Sequence, residues 1–213
     1  PNKPKSLKHI IADKIVFKKW REGLGGNIAT LVSGSAALSQ RLNRIFQGAG
    51  IPILEGYGLT ETSPVISVNS FKHLKIGTVG HVLSNLDVKI QEDGEITVKG
   101  PSITQGYYND EEKTKEAFTE HGYFRTGDIG HIDEEGFLHI TDRKKEMFKT
   151  SGGKYVAPQV LENLAKGSKF IEQIMVVGDG EKMPCALVQP DYAFAKLWAE
   201  RKHLKIGKTP EEM

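Results

Sequence analysis

Cysteine is almost missing from this sequence: Cys185 is its single thiol in 213 residues. One thiol excludes an internal disulfide and a cysteine-built metal cluster, and it suits a reducing compartment. Long apolar runs are missing too. No stretch approaches the ~18 consecutive apolar residues that a membrane-spanning helix needs, and the first residues lack the apolar centre of a signal peptide. Nor is charge of one sign in excess. Lys and Arg number 29 against 27 Asp and Glu, a formal charge of +2, and the basic residues are spread along the chain rather than gathered in a block. No nucleic-acid footprint follows from that distribution. His9, His73, His81, His121, His131, His139 and His203 show no metal-ligand spacing. What is present is ordinary for a folded protein, 38% apolar and 26% charged, enough for a real core. The expected location is the cytoplasm.

The order of patterns divides the chain. Leu7, Ile10, Ile11, Ile15 and Phe17 fall near helical spacing among lysines, which predicts an amphipathic helix ending at Gly23. Residues 27–33 read as a buried strand, 38–47 as a helix with Leu38, Leu42, Ile45 and Phe46 inward, and 51–55 as a second strand. Strand, helix and strand with short links imply a parallel pair joined by a right-handed crossover. From about Gly77 the pattern turns to short alternating strands: 87–91 and 95–99 around Glu92-Asp93-Gly94, then 130–140 around Asp133-Glu134-Glu135-Gly136, read as a solvated hairpin turn. A short helix falls near 110–118. After Asp142 come a charged linker, a helix over 158–165, a hairpin over 171–189 and a helix from Tyr192 to about His203. The expected fold is an α/β sheet fragment, a β-barrel subdomain and a small α+β domain. Its expected boundaries are 1–144, comprising the sheet fragment at 1–70 and the barrel at 71–144, and 145–213 as a lid.

Parallel sheets bind ligands beyond the C-terminal ends of their strands, where helix N-termini and loop N–H groups gather. Those ends are Ser33-Gly34-Ser35-Ala36-Ala37 and Glu55-Gly56-Tyr57-Gly58-Leu59-Thr60-Glu61-Thr62. Gly56 and Gly58 let backbone approach a ring or phosphate, Tyr57 offers an aromatic face, Thr60 a hydroxyl, and Glu61 a hard oxygen suited to Mg²⁺. Further along, Asp128 of Thr126-Gly127-Asp128 can accept both hydroxyls of a ribose, and Arg143 of Asp142-Arg143-Lys144-Lys145 can contact ribose or phosphate oxygens. Each segment alone has a plainer reading as a turn or a solvated linker. Their combination is what is specific.

These segments, in this order, resemble the adenylate-forming superfamily: Tyr57 to Thr62, Tyr123-Phe124-Arg125-Thr126-Gly127-Asp128-Ile129-Gly130, and 136–145. The run from Glu146 to Pro158 is similar to bacterial and bubblegum-type long-chain fatty acid CoA ligases. The similarity extends from about Phe17 to about Gln189. It implies a fatty acid, ATP and coenzyme A as substrates, with Mg²⁺. Under it, Ser33, Gly34, Ser35 and Ala36 correspond to the loop beside the adenine, Tyr57 to the aromatic that stacks on it, and Gly56 and Gly58 to the glycines shaping that pocket. Thr60 corresponds to a phosphate contact and Glu61 to the Mg²⁺ ligand. Asp128 corresponds to the ribose carboxylate with Arg143 as its partner, and Lys145 to the hinge of a mobile lid. Lys149, Gly152 and Gly153 correspond to the segment facing the acyl-adenylate and coenzyme A. Related readings keep the superfamily but change the carboxylate or deliver it to a carrier protein; a nucleotide-binding or interaction module without turnover is the alternative of another class. A long-chain substrate is compatible with peripheral contact at the inner membrane, although no segment compels it.

Two departures from the family pattern bear on turnover. Its Ser/Thr/Gly-rich phosphate loop has no counterpart here, and its adenylation lysine has none either, because Gly207-Lys208-Thr209-Pro210 lacks the expected surroundings. The chain starts at Pro1, and Thr209-Pro210-Glu211-Glu212 reads as the capped start of a helix with no body behind it. The expectation is a piece of a longer ligase, inactive by itself.

Overall fold

The computed structural model describes residues 6–204 and Gly207. The helix start expected at Thr209 to Glu212 lies outside the described residues, as does Lys208. By the packing of its backbone the described part of the chain divides into two compact units, one running up to Thr126 and including 130–140, the other made of 127–129 and the residues from Thr141 onward.

The first unit begins with a continuous helical run: α1 (Leu7–Ala12), a π-helical turn (Asp13–Phe17) and α2 (Lys18–Gly23). Its Trp20 and Phe17 rings pack in series with Phe46, and Arg21 pairs with Asp13 at 2.9 Å. Leu7, Ile10, Ile11 and Ile15 remain exposed. Strand β1 (Leu31–Ser33) pairs in parallel with β2 (Ile53–Gly58), with Leu31 opposite Ile53 and Ser33 opposite Glu55; α3 (Gln40–Gly48) makes the crossover.

Two expectations need correction here. The strand predicted over 27–33 shrinks to its last three residues. Pro52 follows the register one step below Ile53 and has no N–H to donate, so the ladder starts at Leu31; Thr30 reaches the Pro52 carbonyl through its hydroxyl at 3.1 Å. In α3 the inward position is not Leu42, which is exposed, but Asn43, which is 1% exposed and donates from Nδ2 to Glu55 Oε1 at 2.9 Å. A buried carboxylate needs such a donor, and the helix turns to supply it.

Strand β3 (Val65–Val68) runs antiparallel to β2, and β4 (His81–Val82) to β3, giving the sheet order β1-β2-β3-β4. A second sheet has the order β5-β6-β7-β8, from β5 (Asp87–Ile90), β6 (Glu95–Lys99), β7 (Phe124–Ile132) and β8 (Leu138–Arg143). Bonds from Val79 N–H to the Leu138 carbonyl and from Leu138 N–H to the Gly80 carbonyl tie β8 to the edge of the first sheet, so the sheets curl toward a barrel. Helix α4 (Glu111–Ala117) is capped by Asp110, whose carboxylate accepts from Lys113 N–H. The core gathers Ile66, Val98 and Phe124, with Tyr57, Leu59, Leu86 and Phe118 against them. The hairpin turn at Asp133 is not simply solvated, as the sequence suggested. Lys75 and His139 both contact Asp133 Oδ2 at 2.8 Å and, Lys75 first, hold its carboxyl well below the usual carboxylate range.

In the second unit β9 (Phe148–Lys149) and β10 (Tyr155–Val156) form a two-stranded ribbon. Helix α5 (Pro158–Ala165) packs on an antiparallel hairpin of β11 (Ile171–Val177) and β12 (Cys185–Pro190), and α6 (Tyr192–Arg201), capped by Asp191, follows. Pro at the first turn of α5 forfeits an N–H that would have no helical partner anyway. No helix among the described residues is long and apolar enough to cross a membrane.

Candidate functional site

In the first unit the two predicted strand-end segments lie side by side. Ser33 is paired with Glu55, and the Gly34 α-carbon is near enough to the Gly56 carbonyl that an added Cβ would sit 3.5 Å from it. Beyond Ser33 the chain turns out, with Gly34, Ser35 and Ala36 exposed and Ser35 in the left-handed region at φ +67°. A non-glycine residue held there costs on the order of 1 kcal/mol.

Gly58 has a stricter reason for being glycine than the one read from sequence. A Cβ there would lie 1.7 Å from the Pro64 carbonyl oxygen, at the bulge where Gly58 pairs with Val65. Gly56 is less constrained, with its nearest neighbour at 3.4 Å. Tyr57 between them packs on the core through part of its ring. The chain then enters one 3-10 turn, Thr60–Thr62, which puts Thr60 outward and Glu61 half-buried. Thr62 is fully buried and locks the turn; its hydroxyl accepts from Leu59 N–H at 2.9 Å and reaches the Pro64 carbonyl. Tyr107 donates its hydroxyl to Glu61 Oε1 at 3.1 Å. Burial first, then the Glu61 carboxylate, keeps the phenol above its ordinary range, so it stays a donor.

Behind this surface sits Glu55, 7% exposed. Burial pushes its carboxyl up, while the Asn43 side chain and the N–H groups of Gly77 and Leu38 pull the other way. It thereby links β2, α3 and the loops at Leu38 and Gly77. No sequence motif singled out Asn43 or Tyr107. Glu55 did leave a signal, a charge closing the apolar run Ile53-Leu54.

In the second unit Asp128 is 5% exposed and lies 3.6 Å from Arg143 Nε, an ion pair rather than a hydrogen bond. Lys144 N–H donates to the Gly127 carbonyl at 2.8 Å, so the turn carrying Asp128 is tied to the segment carrying Lys145. Asp142, which the sequence reading left without a role, is 1% exposed and accepts from Arg143 N–H at 2.6 Å. Burial pushes its carboxyl up against the N–H groups of Arg143 and Gln159. Ala157 gives α5 no side-chain cap, and the Asp142 carboxylate feels the Gln159 N–H in the first turn of that helix. Lys145 is exposed in the turn that follows. Lys149, on β9, sets its ammonium 5.3 Å from the Tyr155 ring centroid, opposite it in the ribbon, and Gly152 and Gly153 form the connecting turn with Gly153 at φ +80°.

Among the described residues no three His, Cys, Asp or Glu side chains converge on a metal position. A single half-buried carboxylate, Glu61, fits Mg²⁺, which keeps water and substrate phosphates among its ligands and takes only one or two carboxylates.

Comparison with known proteins gives this arrangement its context. Residues 4–108 match the family described as AMP-binding enzyme. The chain is 45% identical over 200 residues to a protein of Mycobacterium bovis named long-chain-fatty-acid--CoA ligase FadD15, covering 94% of this chain and 33% of that protein. It is also 37% identical over 206 residues to long chain acyl-CoA synthetase 3 of Arabidopsis thaliana, covering 89% and 31% respectively. Among solved structures, the o-succinylbenzoate coenzyme A synthetase of Bacillus subtilis in complex with AMP superposes with a TM-score of 0.70 at 26% identity, over 89% of this chain and 43% of that one. The chain thus spans about a third of the length of the curated relatives it matches.

Proposed function

From a chain that carries an AMP-binding enzyme family domain over residues 4–108, we propose ATP-dependent activation of a long-chain fatty acid as its adenylate, followed by transfer to coenzyme A. The observation that carries this reading is the 45% identity, over 94% of the chain, to a protein named as a long-chain ligase. The o-succinylbenzoate enzyme, at 26%, supports the reaction class and not its own acid as the substrate.

Joining a carboxylate to a phosphate brings anions together, so N–H, hydroxyl and cationic groups must face the phosphates. The exposed loop Ser33 to Ala36 and the ring of Tyr57, flanked by Gly56 and Gly58, take the adenine. The Thr60 hydroxyl contacts phosphate. Glu61 holds Mg²⁺, which when bound offsets phosphate charge. Asp128 accepts from the ribose hydroxyls with Arg143 beside it. No protein nucleophile is required: the fatty carboxylate attacks the α-phosphorus, pyrophosphate leaves, and the thiol of coenzyme A then attacks the acyl carbon and releases AMP. Lys145 serves as the hinge between the two half-reactions, and Lys149 with Gly152 and Gly153 faces the acyl-adenylate and coenzyme A in the second. The proposed setting is the cytoplasm, with peripheral contact at the inner membrane following the lipid substrate.

The test is pyrophosphate release by the natural protein at its full natural length, with ATP, coenzyme A and acids of graded chain length. Release rising toward long chains supports the reading; release with aryl acids alone, or with no acid, overturns it. Titration of this chain with AMP before and after Asp128→Ala checks the ribose role separately. About tenfold weaker binding is expected from the loss of charge-assisted hydrogen bonds, and unchanged affinity would remove Asp128 from the site.

A further inference from the structure

Glu61 is gripped from two sides by one short stretch of the same unit. Thr104 N–H donates to the Glu61 carbonyl at 2.7 Å, and the Tyr107 hydroxyl donates to Glu61 Oε1 at 3.1 Å. The stretch is itself braced against slack. Gly106 N–H donates to Thr104 Oγ1 at 3.3 Å, Tyr107 N–H to Thr114 Oγ1 at 2.8 Å, and the Thr114 hydroxyl to the Asp110 carbonyl at 2.8 Å. At Gly106 the backbone has φ +143°, and a Cβ would meet Thr114 Cγ2 at 2.5 Å. Glycine lets the loop close down on the Thr114 side chain, and the loop so closed carries the Tyr107 hydroxyl to Glu61.

We infer that residues 104–114 form a buckle whose purpose is to aim the Glu61 carboxylate, with Tyr107 as a positioning residue for a divalent cation that arrives with nucleotide phosphates. The inference rests on the reading of Glu61 as the Mg²⁺ ligand. A half-buried glutamate on a single turn keeps rotatable side-chain bonds, and a ligand that must first be ordered binds its metal less well. The backbone bond from Thr104 fixes the turn, and the phenol holds one carboxylate oxygen, Oε1. The type of donor matters. A lysine or arginine in this place would pair with the carboxylate and compete with the cation, whereas a neutral phenol orients the group and leaves its charge intact. Tyr107 touches no reacting atom in this scheme; it acts through Glu61.

The 213-residue chain itself provides the test. Wild type, Tyr107→Phe and Glu61→Gln are titrated by calorimetry with AMP, with ATP in EDTA and with ATP in Mg²⁺. The quantity of interest is the factor by which Mg²⁺ tightens ATP binding. Tyr107→Phe should cut that factor about tenfold and shift AMP affinity by less than about twofold, while Glu61→Gln should abolish the factor. If Glu61→Gln abolishes it and Tyr107→Phe leaves it as in wild type, the buckle has no positioning role and the Glu61 reading stands. If Glu61→Gln keeps the factor, the Glu61 reading falls and takes this inference with it. Equal losses for AMP and Mg·ATP in Tyr107→Phe would mean general support of the loop and would overturn the positioning role. A wild-type chain that binds neither nucleotide overturns the nucleotide site as a whole.

Discussion

The two units build their candidate segments by different physical means. In the first, the chain closes on itself with no room to spare: Gly58 lies on the Pro64 carbonyl, Gly106 on the Thr114 side chain, and the turn between Thr60 and Thr62 is locked by a fully buried hydroxyl. In the second, the fixed points are carboxylates, Asp128 against Arg143 and Asp142 against the N–H groups at its own strand end and at α5. The apolar support differs in the same sense. Ile66, Ile96, Val98 and Leu138 are wholly buried in the first unit, whereas Leu164, Met175 and Leu187 of the second stay exposed. Volume therefore decides what the first unit tolerates, and charge decides what the second tolerates.

The chain has two tryptophans, Trp20 and Trp198, one in each unit, so the contrast can be read separately by fluorescence in Trp198→Phe and Trp20→Phe backgrounds. The largest expected effect is at Gly58. An alanine Cβ cannot share space with the Pro64 carbonyl at 1.7 Å, so β2 and β3 must part, at a loss of roughly 3 kcal/mol or more in urea unfolding followed by Trp20. The same change at Gly152, where the nearest atom is 3.9 Å away and φ is not positive, should stay within about 0.5 kcal/mol as followed by Trp198. Similar losses at the two glycines would break the distinction. Next in size is Asp142→Ala. It leaves the Arg143 and Gln159 N–H groups without their carboxylate and should cost about 1–2 kcal/mol at Trp198, the scale of a lost helix cap. A change registered by Trp20 alone would assign Asp142 to the wrong unit.

How far these features could be read from the sequence depended on how local their causes are. The hairpin from Asp87 to Lys99 follows from alternation around Asp93-Gly94, α4 from its Asp110 cap, and the parallel pair from two apolar runs with a helix between them. Each cause lies within a dozen residues of its effect. The adenylate-forming resemblance likewise travels in short ordered segments, and the fold agrees with it. What escaped were contacts between residues far apart. Tyr107 and Glu61 are 46 positions apart, and nothing in either segment announces the other. Asn43 escaped for a related reason: helical periodicity rewards Leu42, but a buried carboxylate on the neighbouring strand needed a donor more than the core needed another leucine. Asp133 was discounted because acidic turns are usually solvated, and its partner Lys75 is 58 positions away.

The smallest expected effect, and the sharpest one on the first unit's reliance on exclusion of water, is the pH dependence of Glu55→Gln. Desolvation is the largest influence on Glu55 and outweighs its hydrogen bonds to Asn43 and to the Gly77 and Leu38 N–H groups, so the folded carboxyl titrates above its ordinary value of 4.5. Between that value and the folded one, the native state holds more proton than the unfolded chain. Stability then falls as pH rises through this window, because the unfolded state releases its proton first. Glutamine keeps a carbonyl acceptor for the same N–H groups and does not titrate. The stability of Glu55→Gln relative to wild type, followed by Trp20, should therefore climb from pH 4.5 upward and level off above the folded value. A difference that falls with rising pH would mean that the neutral donors around Glu55 outweigh burial, and one that stays flat that the two balance; either result would remove exclusion of water as the dominant influence on this carboxylate.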